Sequence, residues 1–233
     1  MIDFHSHILP GIDDGSRSTT ESIELLQDER NQGVEHIVAT PHFYAHKNSI
    51  EGFLKGREKS VERLTGAMTE AGLDGMKIDV GAEVYYFSGV SKAAMLPELC
   101  IQGTDVLLLE MPFCQWDNAM YEEIKYLTEK RNLTVILAHI ERYYAYQKDK
   151  KIWHKIFALP IYRQINTGSF LEWKKRRKCI GFLKEDDRIV LGSDCHNMKS
   201  RKPNLLAGRQ IIEKKLGKER LCQIDALGER ILP

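Results

Sequence analysis

Short apolar stretches alternate with longer amphipathic stretches along the whole chain. Seven runs rich in β-branched and other apolar residues predict strands. They are residues 2–5, 36–39, 77–81, 105–109, 134–138, 163–166 and 188–192. Six further segments have apolar residues at helical spacing. They are residues 19–32, 49–71, 118–131, 150–158, 172–184 and 204–216. This alternation predicts a parallel sheet with crossover helices.

The expected fold class is α/β, in the form of a distorted seven-stranded (β/α) TIM-like barrel. Near-continuous apolar strands such as 106–109 and 135–137 are typical of a sheet that is covered on both faces. Seven units in 233 residues favour the barrel over the alternative, an open doubly wound sheet. No linker or low-complexity segment divides the chain, so we expect one domain over residues 1–233.

Composition narrows the class of protein. Of the residues, 42% are hydrophobic and 29% are charged, and the formal net charge is +1. Such a chain can bury a sizeable core and has no general attraction for nucleic acid. No segment is long and apolar enough for membrane insertion, and the first residues lack a secretory signal pattern, so the sequence predicts a cytoplasmic protein.

Potential metal ligands follow six of the seven predicted strands. They are His5, His7, His42, Glu83, Glu110, His139, Asp194 and His196. The carboxyl ends of the strands of a parallel barrel open onto one face, so we expect these side chains to converge. In a regular strand His5 and His7 point to the same side, where both imidazoles could bind one ion. Histidine and carboxylate ligands suit Mn, Fe and Zn, so the pattern predicts a metal site.

The same strings carry a resemblance to a known family. They are residues 2–7, 13–15, 40–42, 81–83, 109–112, 138–143 and 192–197, and they span nearly the whole chain. In these strings the chain resembles the PHP (polymerase and histidinol phosphatase) superfamily. It is similar in particular to the bacterial tyrosine-protein phosphatase branch, which includes phosphatases associated with capsular polysaccharide.

The resemblance implies a PHP-type barrel that holds three divalent metal ions, with Mn favoured over Fe or Zn. His5, His7, Glu83 and Asp194 would bind the first ion. Glu83 would bridge to a second ion bound by Glu110 and His139. Asp14, His42 and His196 would bind the third, although the neighbouring Asp13 is equally able to be a ligand. The remaining histidines, His36, His46 and His154, are expected to be structural or solvated.

The implied activity is metal-dependent hydrolysis of phosphotyrosine. The implied partner is the tail of a bacterial tyrosine kinase that controls capsular or extracellular polysaccharide synthesis. Arg142 and Arg201 follow ligand-bearing strands, and their guanidinium groups would bind phosphate oxygens. Asp194 or His196 could transfer a proton to the leaving group. The alternative within the superfamily is a phosphoesterase for a small phosphomonoester such as histidinol phosphate.

Two other readings compete with this one. Cys195 and Arg201 have the C-x5-R spacing of cysteine-dependent phosphatases, but the loop between them has no glycine and Asp194 would raise the pKa of the thiol. The second alternative is a metal-binding scaffold without catalytic activity, although every expected ligand position is filled. The five scattered cysteines include no C-x-x-C pair, which predicts reduced, mostly buried thiols.

Two further features have both a plain and a functional interpretation. The basic run 174–178 is either a solvated helix face or a docking site for an acidic or phosphorylated partner. Six aromatic residues near the ligands either flank a phosphotyrosine ring or pack at the bases of loops. They are Phe43, Tyr44, Tyr85, Tyr86, Tyr143 and Tyr144.

Overall fold

The structure is a computed structural model that describes residues 1–232, and in it strands and helices alternate. The strands of these residues are β1 (Ile2–Ser6), β2 (His36–Ala39), β3 (His42–Phe43), β4 (Lys77–Val80), β5 (Glu83–Tyr85), β6 (Val106–Glu110), β7 (Thr134–Leu137), β8 (Tyr162–Asn166) and β9 (Ile189–Gly192). The α-helices are α1 (Thr19–Asn31), α2 (Ile50–Glu70), α3 (Asn118–Glu129), α4 (Lys151–Ala158), α5 (Gly168–Leu171), α6 (Trp173–Glu185), α7 (Leu205–Leu216) and α8 (Lys218–Ile231). Short 3-10 segments are Val90–Lys92, Leu96–Leu99, Ile140–Arg142 and Tyr144–Tyr146.

The strand pairs of the two sheets are parallel, which confirms the expected α/β class. One sheet has the order β1-β2-β4 and the other the order β3-β5-β6-β7-β8-β9. An isolated bridge between Ser6 and Cys195 connects β1 to the residues after β9. There the Asp194 nitrogen donates to the His5 carbonyl at 2.7 Å. This isolated bridge is not a ladder, so the strand ladders within residues 1–232 form two separate sheets and do not form one closed barrel.

The hydrophobic pattern does not predict the short strands β3 and β5. Two residues separate the end of β2 from His42, where β3 begins, and two residues separate the end of β4 from Glu83, where β5 begins. Pro41 has no N–H to donate to a ladder, but its carbonyl accepts from the Glu83 nitrogen at 3.0 Å. The pairing thus continues past the interruption and holds His42 opposite Glu83.

An irregularity in β1 orients the first two candidate ligands. Asp3 pairs with Ile37 and Ser6 with Ala39, so β1 has one residue more than β2 over this stretch. Such a bulge reverses which side of the sheet the following side chains face. Phe4 packs in the inner core, and because of the bulge His5 and His7 after it face inward as well.

Two apolar clusters stabilise the fold. The larger lies between the strands and the helices. The smaller is enclosed by the strands and includes Phe4, Leu108 and Ile136, together with Leu227 and Ile231 of α8. α8 was not predicted, although its buried residues 221, 224, 227 and 231 have helical spacing. Its packing covers the inner core beside Phe4.

Two expectations from composition can be compared with the structure. No helix within residues 1–232 has the length and apolar character needed to cross a membrane. All five cysteines are free, with Cys100, Cys179 and Cys195 buried and Cys114 and Cys222 exposed. Pro233, the last residue of the predicted domain, lies outside the described residues.

Replacing Gly192 with alanine should destabilise the fold, because an added Cβ would lie 2.7 Å from the Cβ of His5. We expect the free energy of unfolding to fall by roughly 1–3 kcal/mol, as in other overpacked interiors. Chemical denaturation of the metal-free protein measures this change. In the control Gly56→Ala, the new Cβ meets no atom within 4 Å, and the helix should gain about 0.5–1 kcal/mol. A Gly192→Ala protein as stable as the wild type would contradict the close approach of β1 and β9.

Candidate metal centre

Glu83 lies at the centre of the converging side chains. It is fully buried, and its two carboxylate oxygens contact four imidazoles. Glu83 Oε2 is 2.8 Å from His42 Nδ1, 3.2 Å from His5 Nε2 and 3.4 Å from His7 Nε2. Glu83 Oε1 is 2.9 Å from His139 Nε2. One carboxylate thus joins ligand candidates from β1, β3 and the end of β7.

Asp194 connects the imidazoles to the arginines. Its Oδ1 is 3.4 Å from His7 Nε2 and 3.6 Å from His5 Nε2. Its Oδ2 accepts from Arg142 at 2.5 Å and is 2.7 Å from Arg201 Nη2. Both guanidinium groups line a small cavity of about 160 Å³ over Asp194, and each side chain is about one-third exposed. The arginines therefore stand between the buried cluster and solvent.

Asp13 and Asp14, which the sequence left as alternatives, have different surroundings. Asp13 Oδ2 lies 2.7 Å from His7 Nδ1 and accepts from the His42 nitrogen at 2.9 Å. Asp14 Oδ1 lies 3.5 Å from His42 Nε2 and 3.7 Å from His196 Nε2. Asp13 thus orients a ligand candidate from behind, whereas Asp14 groups with His7, His42 and His196.

The charges of the cluster are mutually dependent. Burial acts to raise the pKa of Glu83, but the charge on His5 and a hydrogen bond from His139 hold it well below its usual range. Burial also opposes charge on His7, yet Asp13 raises the pKa of this imidazole well above its usual value. Burial together with the negative charge of Glu83 raises the pKa of Glu110 to about 8. Of the two carboxylates Glu83 and Glu110, the second therefore lacks a compensating positive charge.

The donor atoms fit divalent cations. Several buried polar atoms have no hydrogen-bond partner among the described residues, and those in this cluster are His42 Nδ1, Glu83 Oε2, Glu110 Oε2, His139 Nδ1 and His196 Nε2. In this cluster there are three groups of possible ligand atoms, and the atoms within each group all lie within 4.8 Å of one another. They are His7, Asp14, His42 and His196; His5, His7 and Glu83; and His42, Glu83 and Glu110. Mixed imidazole and carboxylate donors suit Mn, Fe or Zn.

Two candidate ligands have unusual backbone conformations. His139 has φ 30° and Asp194 has φ 54°, in the left-handed region that non-glycine residues rarely adopt. Such conformations persist where surrounding contacts impose them, often at functional sites. Here the Asp194 nitrogen donates to the His5 carbonyl, and the His139 nitrogen donates to Gln164 Oε1 at 2.7 Å.

Comparison with known proteins identifies the family. The family model for capsular polysaccharide synthesis, CpsB/CapC, matches residues 1–227. The chain belongs to the CpsB/CapC family. This confirms the resemblance to the capsule-associated branch that the motifs indicated.

Relatives of this CpsB/CapC-family protein align over almost their whole length. Tyrosine-protein phosphatase CpsB of Streptococcus pneumoniae is 31% identical over 245 residues, covering 96% of this chain and 94% of the relative. Tyrosine-protein phosphatase YwqE of Bacillus subtilis strain 168 is 26% identical, covering 94% and 86%. A solved structure from work on YwqE and S. pneumoniae CpsB, described as unique metal-dependent tyrosine phosphatases, matches with a TM-score of 0.87 and 24% identity. It covers 100% of this chain and 94% of that chain, so the fold is shared.

Gln164 and Asn166 are site residues of the CpsB/CapC-family protein that sequence reasoning missed. Gln164 Oε1 lies 3.1 Å from His5 Nδ1, and Asn166 Nδ2 donates to Asp194 Oδ2 at 2.7 Å. Both lie on β8, which corresponds to the one predicted strand without an assigned ligand, residues 163–166. Two amide side chains two residues apart in a predicted strand point to the same face, and this spacing was the available signal.

The six aromatic candidates separate into core and rim. Phe43 and Tyr143 are buried, and the Tyr143 hydroxyl accepts from the Met111 nitrogen at 3.0 Å. Tyr86 packs at the edge of the larger core cluster, and Tyr144 packs against Trp153. Tyr44 and Tyr85 contact each other, and Tyr44 also lies beside His42. Phe113, which was not predicted, is 40% exposed and stacks near His139 with ring centroids 6.1 Å apart.

Cys195 faces away from the arginines. Its sulfur groups with the buried carboxylates of Asp3 and Glu29 beneath the candidate ligands. Burial and these negative charges raise the pKa of the thiol well above its usual value. A neutral, enclosed thiol is a poor nucleophile, so the geometry opposes the cysteine-dependent reading.

His36, His46 and His154 lie outside the cluster. His36 Nε2 is 2.6 Å from Asp79 Oδ2 on the neighbouring strand β4. His46 and His154 are exposed, and the His46 ring lies beside Tyr44. The structural or solvated interpretation agrees with these positions.

Substitution of the two neighbouring aspartates should separate their roles. Asp13→Ala removes a buried partner of His7 and should lower the free energy of unfolding by about 3 kcal/mol. Asp14→Ala should change it by less than about 0.5 kcal/mol, because the Asp14 side chain is 68% exposed, while one bound divalent ion is lost. Chemical denaturation of the metal-free proteins and elemental analysis after metal loading measure the two effects. Equal destabilisation by the two substitutions would contradict this assignment.

Proposed function

We propose that the protein is a metal-dependent protein-tyrosine phosphatase, a phosphomonoester hydrolase acting on phosphotyrosine. The observation that carries the proposal is the buried cluster of imidazoles and carboxylates directly beneath Arg142 and Arg201. Cations below and guanidinium groups above suit a phosphate dianion between them. Relatives over nearly the full chain are named tyrosine-protein phosphatases, which supports the same activity.

The proposed cofactors are three divalent ions, with Mn favoured over Fe or Zn. His5, His7, Glu83 and Asp194 would hold the first; Glu83, Glu110 and His139 the second; and Asp14, His42 and His196 the third. The unpartnered atoms of Glu83, Glu110 and His196 support the binding of cations at these side chains. Bound divalent ions would neutralise phosphate oxygens and lower the pKa of water.

Arg142 and Arg201 are proposed to bind and orient the non-bridging phosphate oxygens. In the structure both contact Asp194 Oδ2, so their guanidinium groups are already directed at the cluster. A planar fork that is always charged suits an oxyanion better than an ammonium group does. Asn166 helps to hold the shared carboxylate in place.

Proton transfer to the leaving oxygen is assigned to Asp194 or His196. Both are nearly fully buried, and Asp194 lines the cavity beside the two arginines. The leaving group of phosphotyrosine is a phenolate whose conjugate acid has a pKa of about 10. It needs less protonation than an alkoxide, so a site whose candidate proton donors have lowered pKa values favours phosphotyrosine over an alkyl phosphate.

The rim also favours an aromatic substrate. Phe113, Tyr44 and Tyr85 are partly exposed and lie around the imidazoles, where they would flank a phenyl ring. The proposed partner is the tail of a bacterial tyrosine kinase in capsular or extracellular polysaccharide synthesis. The family description supports the link to capsular polysaccharide synthesis. The expected cytoplasmic location stays a prediction.

The whole chain is proposed to form one PHP-type domain built on a distorted seven-stranded barrel. β2 with β3, and β4 with β5, each count as one interrupted strand. The bridge from Ser6 to Cys195 then joins the last strand to the first. Seven strand units in a ring are consistent with the pairing.

Removal of metal should abolish the activity. We expect the initial rate on a phosphotyrosyl peptide to fall at least 100-fold after exhaustive chelation, because the arginines alone would leave the attacking water unactivated and the phosphate only partly neutralised. Addition of Mn, Fe or Zn separately should restore the rate and identify the working ion. Elemental analysis verifies each state.

Two outcomes of the same experiment would contradict the proposal. If the rate survives verified metal removal, the cluster is not the catalyst. If histidinol phosphate is hydrolysed efficiently and phosphotyrosyl peptide is not, the enzyme is the alternative phosphoesterase for small phosphomonoesters.

Loss of either arginine should slow the reaction. We expect Arg142→Ala and Arg201→Ala each to lower kcat/KM by roughly 100-fold, the usual effect of removing one preorganised oxyanion donor. Lysine at either position should restore part of the rate, since it keeps the charge but not the fork. The control Arg230→Ala changes an exposed arginine on α8 and should leave kcat/KM unchanged. Full activity of Arg142→Ala or Arg201→Ala would remove that arginine from the mechanism.

A further inference from the structure

Helix α6 begins with a dense group of basic residues that the proposed chemistry does not use. Lys174, Lys175 and Arg177 are exposed, and Lys178 is partly buried. We call these four residues the α6 basic face. Arg176 differs from them, because its guanidinium group donates to the Phe170 and Leu171 carbonyls and so holds the start of the helix.

The α6 basic face has few counter-charges. Among the ion pairs of residues 1–232, one involves this face, between Lys175 Nζ and Glu172 Oε1 at 2.8 Å. Both groups are about half exposed, and such pairs contribute little. The whole chain has a net charge of only +1, so this concentration of positive charge is local.

The α6 basic face adjoins the proposed catalytic site. Lys175 lines the same cavity as Arg142, Asp194 and Arg201. Lys174, Arg177 and Lys178 line a neighbouring cavity of about 480 Å³. Tyr144, two residues after Arg142, also lines this cavity. Among the described residues that line it, Glu185 is the one carboxylate. Basic side chains thus continue from the catalytic arginines along α6.

Two ammonium groups converge at Tyr144. The Nζ atoms of Lys150 and Lys178 each lie 3.1 Å from the centroid of this ring, so they are separated by no more than twice that distance. Burial and the charge of Lys150 lower the pKa of Lys178 to about 8. Neither lysine forms an ion pair among the described residues, so an anion in the cavity would relieve their repulsion.

We propose that the α6 basic face docks an acidic or phosphorylated stretch of the substrate polypeptide that adjoins its phosphotyrosine. The inference rests on the proposed phosphatase function, and it adds a specificity surface outside the reacting groups. The cavity beside Lys174, Arg177 and Lys178 is larger than the cavity beside the catalytic arginines. This larger volume suits the side chains of a peptide more than a single inorganic ion. Continuity with the arginines favours a segment of the substrate over an anionic membrane, although Trp173 is 77% exposed at the start of the helix.

The test compares two peptides with the same phosphotyrosine, one with neutral flanks and one with three flanking glutamates. In the metal-loaded Lys174→Glu/Arg177→Glu protein, we expect KM for the acidic peptide to rise roughly tenfold with kcat unchanged. The neutral peptide should change by less than twofold. The control Lys214→Glu/Lys218→Glu changes the net charge by the same amount at exposed positions outside both cavities. Its KM values for the acidic and the neutral peptide should be those of the wild type.

A binding measurement separates docking from catalysis. Fluorescence anisotropy of a labelled acidic peptide that carries a non-hydrolysable phosphonate should show roughly tenfold weaker binding to Lys174→Glu/Arg177→Glu, and salt should reduce the difference. If the wild type hydrolyses neither peptide, the proposed function fails, while anisotropy still decides the docking surface.

Three results would overturn the docking proposal. The first is an unchanged KM and Kd for the acidic peptide in the variant. The second is an equal loss for the neutral and acidic peptides, which would indicate damage to the site itself. The third is lost binding to phosphatidylglycerol vesicles with unchanged peptide kinetics, which would make the face a membrane contact.

Discussion

The burial of Glu83 is the constraint on which the site depends. A carboxylate without solvent exposure is stable in its charged form only if positive or donor groups surround it. Imidazoles from β1, β3 and the end of β7 provide them, and this requirement brings separate parts of the chain to one point. Glu110 lies beside the same centre without equal compensation, and its raised pKa reflects that imbalance. Divalent cations would supply the missing positive charge.

Irregular backbone makes this convergence possible. The bulge in β1 directs His5 and His7 inward, and the interruption before β5 places Glu83 opposite His42. His139 and Asp194 adopt left-handed conformations at the ends of β7 and β9. Without the bulge, His5 and His7 would lie on the face of β1 opposite to Phe4, away from the inner core. The strain in the site is therefore balanced by regular packing elsewhere, in the apolar clusters on either side of the strands.

The parts of the fold that sequence predicts are those that depend on local pattern. Strands such as β6 and the ligand types that follow them are visible as apolar runs ending in histidine or a carboxylate. β3 and β5 have only two and three residues, too few for a periodicity. The bulge depends on the partner strand, and the role of Asp13 depends on a contact with His7 across a turn. Gln164 was missed because amides are not typical metal ligands, although its spacing of two residues from Asn166 in a predicted strand was a usable signal.

Asp194 links the two halves of the site, because its two oxygens face different partners. Oδ1 is directed at His5 and His7, whereas Oδ2 receives Arg142 and Arg201. In the proposed function, the arginines would exchange this carboxylate oxygen for a phosphate oxygen with little movement, since both are oxyanions at the same edge of the cluster. The carboxylate would then keep the arginines oriented when no phosphate is bound. The same cavity continues to Lys175, so a phosphate bound there would lie between the buried cluster and the basic helix.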